Sequence, residues 1–294
     1  MRKIVYCMIL TMIGTLTASH SYAKEPIANS LLWKISGNSL KNDSYIVLTT
    51  PSLCEESSSL MSKMEYVLHK VKAYYTETSI NNPNTAIETE KLLRINDSKS
   101  TLNKILSSKT YMRVRAKLSI VQVDERTLNN YKPIYAYNVL SKAVYPECSH
   151  ANYTEFLFRA YAEQYGIPVK ELLSIKDAVS IINDYGNDYW SNEIDYVLNN
   201  EQEIKQTLAS KAEFYYKEDI QGINSLYKST KFLNSRYEHS DIEKKRTDLI
   251  VKGIIGAITK ESCVITFDVS CVMNQSTSVF DRLESLGYKV TPVK

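Results

Sequence analysis

The sequence predicts an α/β protein in which a central mixed sheet is built from the N- and C-terminal segments, with a large helical region between them. Three observations carry this. β-rich apolar runs occur near the start of the chain, at 31–48 and 73–78, and again at its end, at Cys263–Asp268 and Tyr288–Pro292. Between them, over 103–260, apolar residues recur mostly at three- and four-residue spacing. No internal repeat and no Pro/Ser-rich linker divides the chain, so residues 24–294 are expected to form a single domain.

Taken in order, the first element is an export signal. Arg2 and Lys3 precede an apolar run at 4–18, and Ser21 and Ala23 supply small residues before Lys24-Glu25-Pro26. The plainer alternative is a membrane anchor, but the run is short against the ~20 residues a bilayer core requires. Residues 1–23 are therefore expected to be cleaved, leaving a periplasmic or secreted protein without a transmembrane segment. Residues 31–48 read as a hairpin turning at Lys41-Asn42-Asp43. Ser57 to Ser59 open a helix carrying Leu60, Met64, Val67, Leu68 and Val71 on one face. The alternating AYYTET at 73–78 is the next strand, and the polar stretch 79–101 reads as loop with a turn of helix at Leu92-Leu93. An amphipathic helix at 153–166 stops at Gly166, followed by a short strand at 169–173 and helices at 219–227 and Ser240–Ile258. Strand Cys263–Asp268, a helix at 276–286 stopped by Gly287, and strand Tyr288–Pro292 close the chain.

Composition excludes several functions. The net charge of +3 is spread along the chain and forms no basic stripe, so nucleic acid is not an expected partner. Only 8 glycines occur, and neither GxGxxG nor GxxxxGK[ST] appears, so the common phosphate cradles are missing. Outside the signal the cysteines are Cys54, Cys148, Cys263 and Cys271, with no CxxC; four allow three pairings, and spacing does not choose among them. A Cys263–Cys271 bridge would require the chain to double back, because eight extended residues cover roughly 26 Å whereas bridged Cα atoms lie within ~7 Å. Cys54–Cys148 is the expected disulfide. The remaining histidines, His69, His150 and His239, form no HExxH and suit surface or capping positions. Tyrosine outnumbers phenylalanine, 22 to 6. That excess fits a binding face, but tyrosine standing in for phenylalanine at half-buried positions such as Tyr74-Tyr75 and Tyr215-Tyr216 is the plainer reading.

Four stretches, in order, carry a family resemblance: LLWKISGNSLKNDSYIVLTTPSLCEE from Leu31, VKAYYTET ending at Glu77 and Thr78, the helix-to-strand segment 153–174, and CVITFDVSCVMNQSTSVFDRLESLGYKVTPV from Cys263. Together they resemble the TraB/GumN family, which includes the Tiki metalloproteases. The resemblance implies an α/β fold and a metal-dependent hydrolytic site built on Gly-Thr-x-His, a second Gly-x-x-His and strand-end glutamates. This chain departs from that pattern. The first motif reads Leu48-Thr49-Thr50-Pro51, and no Gly or His occurs between Ser262 and Leu286, where the second belongs, near Cys271. Leu173 stands at one glutamate position, Lys245-Arg246 at an Arg-Asn pair, and Glu77 alone is retained.

A hydrolytic metal needs imidazole or carboxylate ligands and an open position for water, and proline offers no side-chain ligand. The family site thus reads as vestigial at Leu48, Thr49, Pro51, Glu77, Leu173 and Cys271, with no catalytic residue, no metal and no cofactor expected. Cys271 near the lost histidine could suggest a thiol nucleophile, but no histidine lies nearby in sequence. The expected function is binding or accessory, with an unknown protein or small-molecule ligand. Two alternatives stay open: a divergent metal-dependent hydrolase with a relocated site using Glu77, and an unrelated small-molecule binder sharing only the fold.

Overall fold

The computed structural model describes residues 27–50, 57–78, 83–97, 100–120, 123–144, 154–274 and 277–293. Six strands form one sheet: β1 (Leu32–Gly37), β2 (Ser44–Thr49), β3 (Ala73–Thr76), β4 (Val169–Glu171), β5 (Cys263–Asp268) and β6 (Tyr288–Pro292). Their order across the sheet is β4-β3-β5-β2-β1-β6. β5 lies parallel to β2 and β3, and β3 lies parallel to β4, whereas β1 runs antiparallel to β2 and β6. The mixed sheet expected from the two ends of the chain is thus observed, with the last strands threaded among the first. The composition of β5, CVITFD, explains its central place: its first five residues are buried, as in a strand covered on both faces.

The β1–β2 connection spans 38–43, wider than the three residues expected. Gly37, Asn38 and Ser39 all have positive φ (81°, 46° and 62°), and the Leu40 N–H donates to the Gly37 carbonyl at 3.0 Å. Glycine and asparagine tolerate that left-handed backbone, and the expected Lys41-Asn42-Asp43 complete the connection before β2 starts at Ser44. The stretch expected as loop at 79–101 contains a helix, Pro83–Leu93. Proline at the first helical position and a run of good helix formers, Ala86 to Leu93, outweigh the polar character. The helix packs on Ile175–Asp184. Elsewhere boundaries shift by a few residues: Ser57 caps helix Ser58–Leu68, Asp219 caps Ile220–Ser229, and Ser278 caps Val279–Ser285, each side chain accepting from a backbone N–H in the first turn.

The described residues pack around two hydrophobic cores. One surrounds the sheet and includes Leu32, Ile46, Tyr74, Phe158, Ile254 and Phe267. The other lies wholly within the helical region, around Val114, Leu128, Tyr137, Trp190, Ile194 and Ile204. Helix Glu201–Tyr216 serves both: Ile204 and Leu208 belong to the second core and Tyr215 to the first. Helix Ser240–Ile258 approaches the end of β4 closely at Gly253, where a Cβ would sit 2.8 Å from the Leu172 carbonyl oxygen. Glycine at that position sets how close the helix lies to the sheet.

Candidate functional site

Parallel strands deliver their carboxyl ends to one edge of a sheet, the place where open α/β folds commonly present side chains to ligands. Here Thr49 of β2 lies in register with Asp268 of β5, and Glu77 follows β3 directly. Helix Thr154–Gln164 contacts β3 and β4 and carries Glu155 in its first turn. The Thr49 hydroxyl donates to Glu155 Oε1 at 3.3 Å.

The Glu77 side chain is held by Arg246 of helix Ser240–Ile258. One guanidinium nitrogen donates to both carboxylate oxygens, at 3.0 and 3.1 Å. The pair is largely withdrawn from solvent, 14% exposed for Arg246 and 22% for Glu77. A second nitrogen of Arg246 lies 3.9 Å from Glu243, itself buried and accepting from the Tyr185 hydroxyl. Burial opposes charge on Arg246, but the surrounding Cys271, Glu77, Glu243 and Asp268 hold its pKa above the ordinary value.

A second cation enters from helix Glu201–Tyr216. Lys211 is buried and donates to the Tyr227 hydroxyl at 3.1 Å. Burial acts to raise the Asp268 carboxyl, yet Lys211, hydrogen bonds from Ser270 and Arg246 together hold it below its usual range. Asp268 also caps the 3₁₀ turn Val269–Val272, accepting from the Ser270 N–H at 2.8 Å. Glu155 behaves in the opposite sense. Burial, reinforced by the negative charges of Glu77 and Asp268 and opposed by the Thr49 hydrogen bond, raises its carboxyl to about 7. The edge therefore holds acids of different character: one paired to arginine, one kept ionised, and one poised to carry a proton near neutrality.

The residues singled out from the sequence divide accordingly. Thr49, Glu77 and Cys271 lie at this edge. Leu48 is a core residue, its carbonyl accepting from the Tyr215 hydroxyl at 2.8 Å. Leu173 buries its side chain and donates its backbone N–H to the Glu77 carbonyl at 2.9 Å. Cys271 is a free, buried thiol whose pKa burial pushes up, against Arg246; that is the reverse of an activated nucleophile. Cys263 is also free, so the 263–271 bridge is absent. Pro51, Cys54, Cys148, His150 and the segment 1–23 lie outside the described residues. His69 stacks edge-on to Tyr165, and His239 packs against Tyr185 and Tyr189. Of the tyrosines weighed earlier, Tyr74, Tyr75 and Tyr215 are all buried, so the first pair is core throughout and not core and rim.

Glu155, Asp268 and Lys211 were not legible as site residues. Glu155 reads as an ordinary first-turn acid, and Lys211 as a solvated helix residue. Asp268 carried a usable signal, an acid directly after the apolar run VITF of a buried parallel strand.

The metal that the resemblance implies does not fit these donors. Glu77 is committed to Arg246, Asp268 to Ser270, and among the described residues no imidazole is placed at the edge. Among the described residues no group of three or more His, Cys, Asp or Glu side chains could hold an ion.

In comparison with known proteins, the chain matches the model of the TraB/PrgY/gumN family over residues 31–292. No curated protein and no solved structure matches the chain. The matched span covers both ends of the sheet and the whole helical region, and on that ground the chain belongs to the TraB/PrgY/gumN family.

Proposed function

We propose that this chain is an exported, periplasmic or secreted member of its family that binds a ligand or assists a partner and does not hydrolyse one. The observation that carries the reading is the engagement of Glu77, the one family acid retained, by a mostly buried guanidinium. A carboxylate so held has little left to give a metal or an attacking water, and among the described residues no imidazole lies beside it. What the edge offers is a set of fixed charges, Arg246 and Lys211 against Glu77 and Asp268, where the parallel strands end. Such an array suits recognition of a polar ligand. Export is supported by the charged and apolar opening of the sequence, and no helix among the described residues is long and apolar enough to cross a membrane.

The test is metal binding and turnover on the purified protein. Titration calorimetry with zinc and manganese should give no site-specific heat, and a peptide library should remain uncut. Cleavage that a chelator abolishes would overturn the reading.

A second reading, a divergent hydrolase with a relocated site using Glu77, draws support from Glu155, whose carboxyl sits near 7 beside Glu77. Were that reading correct, Glu155→Gln and Glu77→Gln would each abolish turnover.

A further inference from the structure

Beside the sheet edge lies a cavity of about 410 Å³ lined by Tyr227, Lys228, Asn234, Tyr237, Glu238, Met273 and Asn274. Its position is fixed from three sides. Tyr227 and Lys228 project from helix Ile220–Ser229, Tyr237 and Glu238 from the 3₁₀ turn Ser235–Glu238, and Met273 and Asn274 from the segment directly after the turn capped by Asp268. The Tyr237 hydroxyl donates to the Ser270 carbonyl at 2.7 Å, and the Tyr227 hydroxyl accepts from Lys211. Both rings are thereby anchored at their polar ends, with centroids 6.0 Å apart.

The lining is graded by depth. Tyr227 and Met273 are buried, Tyr237, Asn234 and Asn274 half-buried, and Lys228 and Glu238 exposed. The floor is aromatic and thioether, the walls add two carboxamides, and one cation and one anion stand at the mouth. Lys228 and Glu238 form no ion pair with each other or with any other described residue. An opening that presents one positive and one negative group, unpaired among the described residues, above an apolar floor is complementary to a molecule carrying both charges at one end and an apolar group at the other.

We propose that this cavity binds a free zwitterionic α-amino acid with an aromatic or thioether side chain. Its carboxylate meets the Lys228 ammonium, its ammonium meets the Glu238 carboxylate, and its side chain lies against the floor made by the packed Tyr227 and Tyr237 rings and Met273. Rings meeting in tilted or edge contact, and sulfur against an aromatic ring, are favourable arrangements for that side chain. The volume lies at the small end of the range for ligand pockets, about 300–1,000 Å³, which suits a single amino acid. The site does not depend on whether the neighbouring edge hydrolyses anything, because none of its lining residues belongs to the Glu77–Arg246 pair.

The experiment is calorimetric titration of the full chain with L-phenylalanine and L-methionine, alongside N-acetyl-L-phenylalanine and L-phenylalanine amide. Binding of both free amino acids with Kd in the range of about 0.01–1 mM is expected. Each capped analogue should bind about tenfold more weakly or worse, having lost one charge-assisted contact. Lys228→Gln and Glu238→Gln, both at exposed positions, should each weaken the free amino acids about tenfold while leaving the urea midpoint unchanged. Glu77→Gln should leave this binding intact, which separates failure here from failure of the proposed role of the sheet edge. Undetectable binding of the free amino acids at about 10 mM, equal affinity for free and capped forms, or indifference to both substitutions would overturn the proposal.

Discussion

Replacing Arg246 with methionine removes the guanidinium while keeping most of the aliphatic stem, and its cost can be worked from the site. An exposed ion pair contributes about 0–1 kcal/mol, whereas removing one partner of a buried pair costs about 3–5 kcal/mol. With 14% and 22% exposure and contacts of 3.0 and 3.1 Å, Arg246–Glu77 lies nearer the second case. The variant also leaves Glu243 and Asp268 facing the vacated charge. A loss of about 2–4 kcal/mol is therefore expected near neutral pH. Urea unfolding reads it directly, provided the m-value is unchanged. If the penalty comes from stranded negative charge, Glu77→Gln in the Arg246→Met background should recover part of it, giving a coupling of about 1–3 kcal/mol. A loss below about 1 kcal/mol, or single effects that add within about 0.5 kcal/mol, would refute the view that this pair neutralises the sheet edge.

Further expectations follow from other features. Glu155 has a folded-state pKa raised from 4.5 to about 7, so the folded state binds the extra proton and this group's contribution to stability falls as pH rises between those values. The loss is of the order of 2–3 kcal/mol; Glu155→Gln should flatten that slope, and an unchanged slope would contradict the assignment. Gly253→Ala places a Cβ 2.8 Å from the Leu172 carbonyl oxygen, whereas Gly256→Ala on the same helix meets open space. Thermal denaturation should show the first destabilised by about 1–2 kcal/mol and the second stabilised by up to about 1 kcal/mol; equal effects would remove the close approach as an explanation. The proposed Cys54–Cys148 disulfide closes a loop of about 94 residues, for which chain entropy gives on the order of 4–5 kcal/mol. Reduction should lower the melting temperature accordingly, and recovery of either cysteine as a free thiol in native protein would rule the bridge out. Cys271, buried and held protonated, should resist thiol reagents until the chain unfolds; rapid labelling in the native state would contradict its placement.

The sheet was largely readable because its strands announce themselves by composition. β5 and β6 have the bounds expected from CVITFD and YKVTP, and the stop at Gly287 coincides with a positive φ of 89°. The helix Pro83–Leu93 was hidden because its polar residues satisfy no apolar periodicity on their own; packing on Ile175–Asp184 supplies what the pattern lacks. The site was half readable. Glu77 and Thr49 sit on strand ends that sequence can locate, whereas Glu155 and Lys211 arrive from helices about 80 and 130 positions beyond Glu77, and no local pattern encodes a meeting at that separation. The second core was equally invisible. The spacing that predicts helices does not say that some of them gather around Trp190 away from the sheet.

Helix Glu201–Tyr216 works like an axle with a bearing at each end: Ile204 and Leu208 are seated in one apolar mass, Tyr215 in the other, and Lys211 rides on the shaft between. A substitution that loosens the far seat, such as Leu208→Ala, would be transmitted along the rod as a tilt at Lys211 and Tyr215. Damage distant from Asp268 and Leu48 would then be felt at both. Evolution at the far seat is thus constrained by groups that Ile204 and Leu208 do not themselves hold, and variants selected there for other reasons should carry altered titration of Asp268 as a by-product.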